Sequence, residues 1–178
     1  GEIDTHDIIM ILLLSAIALR SAVWNVFQMI ERHDHAVLLW IAVAAAAGKI
    51  AGGVLSERFG TRNYNLFALL TALPLLTLLR DYFFAFITGL FLMQSTFGPT
   101  ALLMMQRFRK SPAAGAAHAF GTPILLGGIL YLIPQKYWFY HFGVPVLLSM
   151  CIVLLWVEKT KSENRQQNEK SRLDKTAL

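Results

Sequence analysis

Arg20 lies within an apolar run, 8–30, that is broken by Arg20, Ser21, Asn25 and Gln28. At helical spacing Arg20, Trp24 and Gln28 recur at i, i+4 and i+8, and Ser21, Asn25 and Gln28 at i, i+4 and i+7. The two sets adjoin, so one side of an otherwise apolar helix carries a polar stripe. A guanidinium at the centre of a membrane span costs about 2.5–3.5 kcal/mol on insertion scales, so it must face protein or water and find a partner. What it offers is attraction for an anion. Lys49 offers the same about two turns inside the end of the second apolar run, where its stem can also snorkel to an interface. Neutral hydrogen-bonding groups occupy two further runs: Gln94, Ser95 and Thr96 in one, His118 and Thr122 at i, i+4 in the other. No Asp or Glu falls in any of the apolar runs. A desolvated carboxylate is the usual proton carrier of coupled transport, so that group would have to come from elsewhere. The residues thus suit a path for anionic or carboxylate-bearing solutes. No nucleophile–base pair, metal-ligand spacing or phosphate-binding loop is present, so an enzyme is not expected, nor any cofactor. His33-Asp34-His35 has only a loose metal-like pattern with no third ligand, and reads as a solvated turn.

The elements that would hold these groups are membrane helices. Of 178 residues, 56% are hydrophobic and 15% charged, with mean hydropathy +0.51. A soluble domain carries about 25% charge, so this chain could not cover its surface in water. The net charge of +5 is concentrated in a few places, which argues against nucleic acid as a partner and for the lipid bilayer. Cys151 is the single cysteine and cannot form an internal disulfide. Six runs read as spans: 8–30, 36–56, 64–79, 82–105, 113–133 and 142–157. About 20 residues at 1.5 Å each cross the hydrocarbon. Residues 1–7 form an acidic lead-in unlike a signal peptide, and 158–178 a polar, solvated tail. Turns on the side of the N-terminus carry Arg58, Arg62, Arg107, Arg109 and Lys110, against Arg32, Arg80 and Lys136 on the other. The positive-inside rule therefore puts both termini in the cytoplasm and the aromatic turn 135–141 at the outer interface. The weaker polar groups counted in spans three and six are Thr71, Thr77, Ser149 and Cys151. Spans one, two, four and five accordingly read as cavity-facing, and three and six as peripheral.

Between spans two and three runs Gly53-Val-Leu-Ser-Glu57-Arg58-Phe-Gly60-Thr-Arg62. It resembles the signature between the second and third helices of major facilitator superfamily transporters: glycine, three residues, acid, base, one residue, glycine, one residue, two bases. Gly53, Glu57, Arg58, Gly60 and Arg62 fit that spacing; Glu57 replaces the commoner Asp, and Asn63 the last base. The resemblance implies a six-helix all-α bundle, half of a twelve-helix carrier, whose first, second, fourth and fifth helices line the solute path. It implies alternating access, with Glu57 latching the cytoplasmic side against the N-terminal end of span five near 111–112. The partner would be a second six-helix half or a second copy, in the plasma (inner) membrane of a bacterium. The degraded signature, the start at Gly1, the acidic lead-in and the polar tail favour the C-terminal half. Arg20-Ser21 is similar to the second half of the subgroup that includes fosmidomycin-resistance exporters. A non-transporting membrane scaffold on the same fold is the alternative.

Overall fold

The computed structural model describes residues 5–31, 34–108, 111–129 and 142–176. Every regular element among them is a helix: α1 (Thr5–Ile30), α2 (His35–Phe59), α3 (Thr61–Thr77), α4 (Phe83–Ser95), α5 (Phe97–Arg107), α6 (Pro112–Ile129) and α7 (Val144–Thr176). Three stretches, Asp7–Ile30, His35–Phe59 and Phe83–Gln106, are long and apolar enough to cross a membrane. Large apolar side chains stand exposed on the outside, among them Ile50, Phe67, Phe84, Leu125 and Trp156, as suits lipid more than water. The aromatic turn 135–141 lies outside the described residues.

Local chemistry sets the helix ends. Asp34 caps α2: its carboxylate accepts from the N–H groups of Ala36 at 3.0 Å and Val37 at 3.1 Å. Two of the first-turn donors that lack helical partners are thereby satisfied. The residue expected in a solvated turn thus has a structural task. Gly60 both ends α2 and starts α3, at φ 79° and ψ 125°, a conformation that L side chains rarely adopt. The far end of α3 returns toward α1, where Arg80 Nη2 approaches Glu31 to 3.8 Å.

The fourth run does not stay continuous. Pro99 has no N–H to give the Ser95 carbonyl, and its ring crowds that oxygen. The helix stops at Ser95 and resumes at Phe97, with Thr96 between. α2 lies against this break along Ala44, Gly48, Gly52 and Ser56, spaced by four and all buried. A Cβ on Gly48 would stand 2.5 Å from the Phe91 carbonyl oxygen, and one on Gly52 only 1.8 Å from that of Ser95. The two backbones meet with no side chain between them, as small residues permit in membrane bundles.

The core follows the same periodic logic. α1 packs on α7, α6 and α5, while α3 packs on α4 and α7. Ile9, Leu13 and Ile17 on α1 and Leu148, Cys151 and Leu155 on α7 are fully or almost fully buried. Phe27 meets Phe86 edge to face at 5.3 Å, joining α1 to α4. One correction concerns 158–178, expected as a solvated tail. α7 continues as one helix of 33 residues to Thr176, and Glu158 and Ser162 are buried. The stripe Val144, Leu148, Cys151, Leu155, Glu158, Ser162 keeps one face at alternating steps of four and three. The charge run therefore extends the packed face before it leaves it.

Gly52→Ala should destabilise the bundle by about 1–3 kcal/mol, the usual cost of overpacking. In detergent this should appear as a lower Tm and as faster maleimide labelling of the buried Cys151. Gly53→Ala, with nothing within 4 Å of the added carbon, should leave both unchanged or raise the Tm. Equal behaviour of the two variants would refute the backbone contact.

Candidate functional site

Arg20 is 4% exposed and reaches the helix break. Its Nε donates to the Ala16 carbonyl at 3.3 Å, and its Nη1 donates to Thr96 Oγ1. Thr96 Oγ1 in turn donates to the Met93 carbonyl at 2.7 Å. The Ala16 carbonyl also accepts from Cys151 Sγ at 3.4 Å. Nη2 is buried and has no hydrogen-bond partner among the described residues. Every group that bonds Arg20 there is neutral, so no carboxylate of the described chain balances its charge at contact distance.

The polar chain continues on the other side of the break. The Thr96 carbonyl accepts from Thr100 Oγ1 at 2.7 Å, and Asn65 Nδ2 donates to Thr100 Oγ1 at 3.1 Å. Tyr64 donates its hydroxyl to Ser95 Oγ at 2.7 Å. Three elements, α1, α3 and the α4–α5 junction, are thus joined by side-chain bonds in an apolar interior, where an unmade bond is costly.

Next to Arg20 is a cavity of about 250 Å³. α1 lines it with Arg20, Ser21 and Trp24, α2 with Lys49, α4 with Met93 and Gln94, α5 with Phe97 and α6 with Phe120. These elements correspond to spans one, two, four and five; α3 and α7 contribute no described residue to the lining. Lys49 Nζ sits 5.2 Å from the centroid of the Phe97 ring, a cation–π arrangement. Phe97 and Phe120 face each other at 5.4 Å with 51° between planes.

Of the residues singled out in the sequence, Arg20, Trp24, Lys49 and Gln94 meet at this cavity. Asn25 and Gln28 are half-buried on α1 and are not in its described lining. His118 is on an exposed face of α6, stacked on Phe108 at 5.5 Å and 23°. Thr122 lies on the same helix, and its side chain is outside the described residues.

In the charged turn, Glu57 and Arg58 are exposed and make no ion pair or hydrogen bond among the described residues. Gly53 is in open space. Arg62 is the member that reaches across. Its Nε lies 3.2 Å from both oxygens of Glu158 on α7, and its Nη2 donates to Ser162 Oγ at 2.7 Å. The Glu158 side chain is 1% exposed and that of Arg62 27%, so the carboxylate is the deeper partner.

Tyr64, Asn65, Glu158 and Ser162 were missed in the sequence. The first two open span three, 64–79, which read as peripheral, and they were not counted among its polar groups. The last two lie on the buried stripe of α7, and its periodicity was the available signal.

Arg62→Ala should cost about 3 kcal/mol, because it removes a partner of a buried carboxylate; partial exposure of Arg62 keeps it at the low end of the range for such pairs. Replacing Glu158 by Leu in the same variant should recover part of the loss, read as unfolding midpoints in a denaturing-detergent titration. No family, curated protein or solved structure matches the chain.

Proposed function

We propose that this chain is one six-helix half of a major-facilitator-type secondary transporter, which moves a small anionic solute by alternating access. The observation that carries the reading is the cavity: two cations, an amide and a hydroxyl gathered inside apolar helices, with no carboxylate in the described lining. Intramembrane charges in such positions mark solute paths by default. Counting α4 and α5 as one bent span gives six spans in chain order, and the first, second, fourth and fifth of them line the cavity. The near-match from Gly53 to Arg62 supports the same reading, with both termini cytoplasmic in a bacterial inner membrane. The other half of the path comes from a second six-helix half or a second copy.

In this scheme the bundle rocks as a body about a midplane site. Arg62 ties the α2–α3 turn to α7 through Glu158 and Ser162, so those helices move together. Glu57 and Arg58, exposed beside that tie, face the partner bundle. Arg20 attracts the solute, and Lys49 and Gln94 orient it.

Arg20→Gln in the complete carrier should abolish uptake or efflux in vesicles while membrane insertion persists; unchanged flux would overturn the role. A carrier with no flux for any anion would favour the scaffold reading. For topology, single cysteines placed at Asn63 and Asp81 in a Cys151→Ser background should label from opposite sides of the membrane, Asn63 from the cytoplasm. Labelling of both from one side would remove the six-span arrangement.

A further inference from the structure

We infer that the cavity beside Arg20 is a binding site for a small aromatic carboxylate, held by this bundle alone. The inference rests on the transport reading of the same site and narrows the solute to a class. Four observations carry it.

Charge comes first. The guanidinium of Arg20 is buried, bonded to neutral acceptors, and left with Nη2 unpartnered among the described residues. A carboxylate supplies both the missing acceptor and the missing countercharge. With Nε and Nη1 already engaged, the ligand takes Nη2 on one oxygen. Lys49, exposed at the other side of the lining, takes the second by leaving the face of Phe97.

The second observation is Gln94. It is 8% exposed, it lines the cavity, and its amide makes no hydrogen bond among the described residues. That amide opens onto the cavity and is not sealed in the core, which leaves it available to a ligand.

Beside Ser21 and Met93, the rest of the lining is aromatic. Trp24, Phe97 and Phe120 come from three helices, and the tilted Phe97–Phe120 pair forms a wall that a ring can pack against. Phe120 is 52% exposed, so it can be replaced without disturbing the core.

Size closes the class. At about 30 Å³ of liquid volume per water, a cavity of about 250 Å³ holds the equivalent of about eight waters. Drug-sized ligands use about 300–1,000 Å³. One ring with one carboxylate fits within that volume. Charge, amide and aromatic wall all belong to this one chain, so binding needs no second half.

The test uses the purified chain in lipid nanodiscs and radiolabelled probes in equilibrium dialysis. Benzoate should bind at least ten-fold tighter than benzamide, which keeps the ring and loses the charge. It should also bind at least ten-fold tighter than acetate, which keeps the charge and loses the ring. Arg20→Gln should abolish benzoate binding. Because Arg20 also bonds the helix break, Lys49→Gln and Phe120→Ala, both at exposed positions, decide the matter if that variant does not fold. Lys49→Gln should weaken benzoate at least three-fold and leave benzamide unchanged; Phe120→Ala should shrink the preference for benzoate over acetate. Benzamide or acetate binding as tightly as benzoate would overturn the inference, as would exposed-site variants that bind like the parent. Arg20-dependent flux without benzoate binding would sink this ligand class and leave transport standing. Benzoate binding without flux in the complete carrier would do the reverse.

Discussion

Pro99 withholds one N–H from the Ser95 carbonyl, and the interior of the bundle is arranged around that missing bond. The freed carbonyl faces Gly52 on α2, where only a hydrogen atom fits. The interrupted turn brings Ser95, Thr96 and Thr100 into reach of Tyr64, Arg20 and Asn65 from two other helices. A continuous α4 would have kept that carbonyl inside its own ladder, and the close packing of α2 would have had a different surface to meet. The break thus sets the fit of one helix and the bonding of two more. In lipid such departures from regular helix are tolerated where neighbours cover the backbone, as α2 does here.

Two buried charges lie in contrasting settings. Glu158 is held by Arg62, and Ser162 shares the guanidinium, so the pair is saturated by the chain. Arg20 receives only a backbone carbonyl and a hydroxyl. A saturated pair fixes geometry, because any exchange must first break it. An unsaturated buried cation keeps attraction in reserve for something that arrives. The same bundle therefore holds one saturated ion pair and one cation bonded only to neutral groups, on different helices.

Composition and periodicity carried the helical class and the positions of most elements, because apolar runs of span length leave few alternatives. The gathering of Arg20, Trp24, Lys49 and Gln94 was legible as a polar distribution over spans, although not their common cavity. Asn25, Gln28 and His118 show the limit. A helical wheel gives a side of a helix, and the neighbour's tilt decides which part of that side meets a cavity. The break at Thr96 falls inside a run read as one span, 82–105; Pro99 was its signal, and its effect depended on α2 presenting Gly52 at the same level. The continuation of α7 was obscured by composition. Charged residues from 158 onward read as tail, while their spacing preserved the buried face for two more turns. Glu57 illustrates a different gap: its spacing resembles a latch, but within this chain it is Arg62 that makes the contact.

α7 gives the molecule a handle. From Glu158 to Thr176 the helix runs for about 28 Å at 1.5 Å per residue, in one piece with the segment packed along α1. A rod that pivots at Glu158, where Arg62 holds it, acts as a lever. A tilt of about 10° at the clamp sweeps the far end through about 5 Å, given that length. Sub-ångström adjustments among packed helices are thereby magnified at the charged end of α7, and a load on that end is returned to the interior as torque on the α1–α7 seam, where Cys151, about two turns before Glu158, shares the Ala16 carbonyl with Arg20.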